Sequence, residues 1–178
     1  MMRPVYIRSA VRLGADDPAF GEILSPMEAR RMGRLLKRAV WCSMKALEDA
    51  GCRMPDAIVT ATDYGCMENS QAYLGALKSG DVPRPVHFMQ STHNTIGSLV
   101  AIRLGCHGYN ATYSHEGNSW RSALADAWMQ IALGEKDTVL AGCYDEYQEN
   151  VAVALVLSAT AEGALSELEN PLNSKSLP

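Results

Sequence analysis

Residues 119–142 read SWRSALADAWMQIALGEKDTVLAG, and the fold class follows from this stretch. Ser119 to Leu133 carries its apolar residues at helical spacing and stops at Gly134, as a helix ending on a glycine does. Thr138 to Gly142 then forms a short apolar run with no polar alternation. A strand of that kind is buried on both faces, which is the signature of a parallel sheet flanked by helices.

The same alternation extends outward in both directions. Upstream, Pro4–Val11 reads as a strand and 14–26 as a loop. Ser25-Pro26 with Glu28 marks a helix start, with the serine as cap and proline at the first position. Met27–Ala50 then shows one helical stripe through Met32, Leu35, Leu36, Ala39, Val40, Met44 and Leu47, ended by Gly51. Ala57–Ala61 is a second fully apolar strand, Asn69–Ser79 a helix, Asp81–Val86 a proline-containing loop, Thr95–Leu104 a helix and Asn110–Ser114 a strand. Downstream, Val151–Leu157 is a last strand. It follows its predecessor too closely for a helical crossover, so the two are expected to be antiparallel neighbours. The order is an α/β fold of βαβαβαββ type: a mainly parallel five-stranded sheet, helices on both faces, and an antiparallel last strand. Residues 1–166 are expected to form one domain and 167–178 a polar tail.

Composition narrows the function classes. The chain has 178 residues and a net charge of −4, so it lacks the basic excess that nucleic acids or anionic membranes select. The local run Arg30, Arg31, Arg34, Lys37 and Arg38 reads as a solvated helix face. No apolar run reaches the roughly 18 residues of a membrane span. Arg3, Arg8 and Arg12 interrupt the apolar N-terminus, which therefore does not resemble a signal peptide. The five cysteines are scattered without a CxxC pair, so a reduced, cytoplasmic protein without a disulfide framework is expected. No metal or other cofactor is expected. His87, His93, His107 and His115 have no ligand spacing, and Asp145, Glu146 and Glu149 read as a solvated loop rather than a cation site.

Several segments, in order, resemble β-ketoacyl-acyl carrier protein synthases of the thiolase fold. MGRLLKRAVWCSMKALEDAG (32–51) is similar to their first long helix, AIVTATDYG (57–65) to the next strand and glycine turn, and GSLVAIRLGCHGY (97–109) to the helix and turn before the nucleophile strand. Residues from Asn110 onward resemble that strand, and 123–142 the helix and strand after it. The resemblance implies a thiolase-like half-fold, the N-terminal half of a ketosynthase. It also implies that the two catalytic histidines, which belong to the C-terminal half, lie outside this sequence.

At the nucleophile itself the sequence departs from the family. An active ketosynthase has a cysteine at the tip of the turn, where a helix N-terminus and backbone N–H groups favour thiolate and oxyanion. Counting without gaps places that position on Gly117, within His115-Glu116-Gly117-Asn118-Ser119, and no cysteine lies within ten residues. No catalytic residue is therefore assigned. Ser119 with His115 reads either as an acyl-transferring pair or as a turn that kept its shape. Glu116 matches either the polar substitution of chain-length factors, the ketosynthase-like partners that lack the cysteine, or an ordinary surface turn.

The resemblance further implies a dimer interface along Asn110, Ala111, Thr112, Tyr113 and Ser114. Gln90, Asn94 and Thr95 would line the partner's acyl pocket. The expected function is a non-catalytic, chain-length-factor-like partner in fatty-acid-like, aryl-polyene-like or polyketide-like biosynthesis, as a heterodimer with a ketosynthase or as a homodimer, with acyl carrier protein as a further partner. The alternatives are a 3-oxoacyl-acyl carrier protein synthase completed in trans by a separate C-terminal half, and a homo-oligomeric structural relic. Apolar helix faces at Leu99, Ile102, Leu124 and Trp128 are expected to stand partly open.

Overall fold

The computed structural model describes residues 2–115, 117–147 and 150–173. The strands are β1 (Tyr6–Leu13), β2 (Ala57–Ala61), β3 (Tyr109–Tyr113), β4 (Thr138–Asp145), β5 (Val151–Ser158) and the short β6 (Ser166–Glu167). The helices are α1 (Pro26–Ala29), α2 (Arg34–Asp49), α3 (Met67–Ser79), α4 (Pro85–Met89), α5 (Thr95–Leu104) and α6 (Ser119–Ala132). They build one six-stranded sheet in the order β3-β2-β4-β5-β1-β6. β2 pairs parallel with β3 and β4; β5 is antiparallel to both β4 and β1, and β6 to β1. Four strands thus run one way and two the other. The α/β class, the helices on both faces and the antiparallel β4–β5 pair stand as expected. β6 adds a sixth strand, too short to leave a periodic signal in the sequence.

Both sheet faces are dry because the strand residues alternate between two apolar clusters. Ile58, Leu140 and Val156 point to one face, where Leu35, Leu36, Ala39 and Val40 of α2 and Ile96 and Val100 of α5 cover them. Val59, Val139, Ala141, Leu155 and Leu157 point to the other, under Ala123, Leu124, Ala127 and Ile131 of α6. Each such leucine or isoleucine contributes on the order of 1.5–3 kcal/mol on burial. Gly97 allows α5 to lie against the sheet. A Cβ there would stand 2.9 Å from Asn110 Oδ1 and 3.1 Å from Thr60 Oγ1.

Some sequence expectations give way to tertiary contacts. The stripe at 27–50 is not one helix. Ser25 forms a capping box with Glu28 on α1, as its sequence indicates, but the chain breaks at Arg30–Gly33. Gly33 is extended, and Glu68 Oε2 accepts the Arg34 N–H at 3.0 Å, so a carboxylate from α3 restarts the helix. Arg38 is not solvated but fully buried, donating to Asp17 at 2.8 Å, to Asp16 O at 3.2 Å and to Gly14 O at 2.5 Å. α4 starts in the last two residues of the expected loop, with Pro85 at its first turn, and runs on to Met89.

Leu124 of α6 is fully buried against the sheet, while Trp128 is half-buried and Ile102 is exposed. Residues beyond β6 pack back on the domain. Leu168 joins the second cluster, and its N–H donates to Val5 O at 2.7 Å. Trp128 Nε1 donates to Leu168 O at 3.0 Å, and Arg121 to Pro171 O at 2.7 Å.

Candidate functional site

β2, β3 and β4 lie side by side in parallel, so their C-terminal ends emerge together at one edge of the sheet. In open α/β sheets this is the edge that carries sites. β2 runs into Thr62-Asp63-Tyr64-Gly65, β3 into the 114–118 turn and β4 into Asp145 and Glu146. Asp145 ties the first loop to β4: it accepts from Thr62 Oγ1 at 2.7 Å, Asp63 N at 2.8 Å and Tyr64 N at 3.1 Å. Thr62 Oγ1 accepts in turn from Gly65 N at 2.9 Å. Burial pushes the Asp145 carboxyl above its ordinary range, and the nearby Asp63 charge adds to the rise, although these donors oppose it. Burial also raises Glu146, whose carboxylate accepts the Glu68 N–H at 3.1 Å. Asp145, expected in a solvated loop, is 8% exposed and acts as a clasp. Glu149 lies outside the described residues.

From this clasp Asp63 reaches the third loop. Its carboxylate accepts the Gly117 N–H at 3.2 Å and, through the other oxygen, the Ser119 hydroxyl. Ser119, the first residue of α6, is buried, and its Oγ also accepts from His115 N at 2.7 Å. Ser119 and His115 therefore meet through the His115 main chain, with no bond from hydroxyl to imidazole among those described. Gly117 has φ of +73°, which glycine tolerates, and a Cβ there would meet nothing within 4 Å. Asn118 N donates to His115 O at 2.8 Å, closing the turn. Glu116 lies outside the described residues. The sequence marked this turn, but it did not mark Asp63, whose only local signal is an Asp just past a buried strand.

Thiol chemistry finds little support here. Cys66 stands at the start of α3 as its N-cap residue. Yet burial, and then the Glu146, Glu68 and Asp145 charges, push its thiol up to about 12. Burial likewise takes Cys42 and Cys143 to about 12. No group of three His, Cys, Asp or Glu among the described residues is arranged to hold a metal.

The residues expected at an acyl pocket do not converge. Gln90 Nε2 donates to Arg31 O at 2.8 Å, Asn94 is exposed without a side-chain cap bond, and Thr95 is buried against Thr92 Oγ1 and Met89 O. His93 packs its ring against Gly65. Gln90 instead lines a cleft of about 460 Å³ together with Arg30, Arg31, Glu68, Arg84 and, from α4, His87.

β3 is an edge strand, paired among the described residues with β2 alone. Tyr113 O accepts from Thr62 N, so the main-chain groups of Thr112 and Asn110, which alternate with those of Tyr113, face outward. Their side chains turn to the first face: Thr112 Oγ1 lies 2.9 Å from Thr60 Oγ1, and Asn110 Nδ2 donates to Gly97 O at 3.2 Å. Tyr113 packs on the α6 cluster, Ala111 is half-buried, and Ser114 Oγ donates to Asp63 O at 3.4 Å.

Comparison with known proteins decides the family, because the β-ketoacyl synthase N-terminal domain matches residues 11–166. The chain belongs to that family. Among the solved structures that share its fold are three ketosynthase assemblies. A ketosynthase (ApeO) in complex with its chain length factor (ApeC) from Xenorhabdus doucetiae has a TM-score of 0.74 at 19% identity, over 87% of this chain and 79% of that one. The AntDE:AntF complex, a type II PKS acyl-carrier protein with its ketosynthase bound to the hexaketide, has a TM-score of 0.81 at 12% identity, over 94% and 68%. The ishigamide ketosynthase/chain length factor has a TM-score of 0.78 at 17% identity, over 94% and 62%. Among curated proteins none matches in sequence.

Proposed function

We propose that this ketosynthase-like chain is a non-catalytic, chain-length-factor-like partner of an active ketosynthase in fatty-acid-like, aryl-polyene-like or polyketide-like biosynthesis. The observation that carries the reading is Gly117: the turn that heads α6 holds a left-handed glycine where the resemblance places the nucleophile, and its N–H is already bonded to Asp63. Ser119 supplies no substitute, since its hydroxyl is buried and committed. The open outer edge of β3, with the main chain of Asn110 and Thr112 facing outward, supports pairing with a second ketosynthase-type chain through residues 110–114. The cleft of Arg30, Arg31, Arg84 and His87 suits an acidic partner such as an acyl carrier protein.

A time course with malonyl- and acyl-carrier thioesters tests the non-catalytic part. The purified chain is expected to give no condensation and no hydrolysis. Turnover that disappears on Ser119→Ala would overturn the reading and make Ser119 a nucleophile.

A further inference from the structure

The site holds an internal anion. Asp63 sits at the end of β2, its main chain bound by Asp145 from β4 and its side chain reaching the turn after β3. One carboxylate oxygen takes the N–H of Gly117, and the other takes the hydroxyl of Ser119. A thiolate or oxyanion formed at position 117 would draw on donors of this kind. A Cβ at 117 would meet nothing within 4 Å, so the turn has room for a side chain there.

We propose that Asp63 is an autoinhibitory anion that has replaced the nucleophile as the charge served by this turn, so that restoring a cysteine at 117 alone does not restore a reactive thiolate. The proposal rests on reading Gly117 as the nucleophile position. It adds that the loss of chemistry is secured by a second residue, 54 positions upstream. The physical reason is like charge. A thiolate on residue 117 would form within several ångströms of a carboxylate that also holds the local N–H, and both effects favour the neutral thiol. Asp145, Glu146 and Glu68 also gather on the β4 and α3 side of this edge. Arg34, which lies near Glu68 and Glu146, is bonded to Asp17 and Asn150.

The test is the alkylation of Gly117→Cys and of Gly117→Cys/Asp63→Asn with iodoacetamide across pH, the label being located by mass spectrometry on the intact chain. The single variant is expected to react no faster at neutral pH than an ordinary exposed cysteine. The double variant should react about tenfold faster, its rate–pH midpoint lying about one unit lower, the size of effect a nearby charge gives. Equal rates and midpoints in the two, or a fast thiol in the single variant, would overturn the proposal. If a side chain at the left-handed position 117 prevents folding, Ser119→Cys with and without Asp63→Asn replaces it, and thiolate is read by ultraviolet absorbance. The same downward shift is expected on removing the Asp63 charge. Its absence there also refutes the proposal. Thiol reactivity is independent of any partner, so failure here is distinguishable from failure of the partnership.

Discussion

Replacing Asp145 with alanine removes the clasp that joins the β2 and β4 ends. Asp145 accepts three hydrogen bonds, from Thr62 Oγ1, Asp63 N and Tyr64 N, at 2.7, 2.8 and 3.1 Å. Leaving a buried donor unsatisfied costs about 1–3 kcal/mol. Some of that is recovered, because a buried charge is removed and the Thr62 hydroxyl can rotate. A net loss of about 3 kcal/mol is expected, or about 6–12 °C in Tm for a chain of this length.

The charge itself adds a pH dependence. The Asp145 carboxyl is held above its ordinary 3.8, chiefly by burial. The folded protein therefore retains a proton that the unfolded chain releases. That contribution is full below the unfolded carboxyl's value and is lost as pH rises through the folded one. Asp145→Asn, which keeps one acceptor, should fall between parent and alanine variant in Tm and should lose this part of the slope. Glu146, raised in the same direction, keeps its own. Thermal unfolding by circular dichroism from acid to neutral pH gives both readouts, and hydrogen exchange localises the effect. The Asp63, Tyr64 and Gly117 amides should exchange faster in the alanine variant. A Tm within about 2 °C of the parent, with unchanged exchange at those amides, would refute the clasp.

Three further outcomes follow from particular contacts. Arg38→Met strips a fully buried guanidinium from Asp16 O and Gly14 O, while Asp17 keeps Arg34; it is expected to cost about 1–3 kcal/mol in denaturant unfolding. Gly97→Val drives a side chain into Asn110 and Thr60; a loss of about 1–3 kcal/mol or more is expected, with α5 displaced from β3. Cys42, Cys66 and Cys143 should not be labelled rapidly by iodoacetamide near neutral pH, because burial holds them at about 12. A fast site at any of the three in a labelling time course would contradict that.

How much of this was legible in the sequence depends on the range of the contacts involved. The apolar runs at 57–61 and 138–142 showed buried strands because both their faces are covered within one domain, which leaves no polar alternation. The break at Gly33 was not legible, since the carboxylate that restarts α2 comes from Glu68, 34 residues away. Arg38 read as surface because charge and spacing look alike on a solvated face and on a face pinned to a distant Asp17. At the site, the 115–119 turn announced itself through the residues around it. Asp63 and Asp145 did not, because their meaning arises only when the parallel pairing of β2 with β3 and β4 sets three loops side by side. Gln90, Asn94 and Thr95 are near neighbours in sequence, yet helix geometry sends them to a cleft, to solvent and to the interior.

Partnership through β3 is tested by affinity capture of the tagged chain from its native cell, wild type against Thr112→Pro, with the recovered proteins identified by mass spectrometry. The Thr112 main chain faces away from β2, so proline there removes a donor from the open edge while sparing the β2–β3 ladder. Wild type is expected to recover a ketosynthase, and Thr112→Pro, folded by circular dichroism, to lose it. Recovery of no ketosynthase by the wild type, or undiminished recovery by Thr112→Pro, would contradict it.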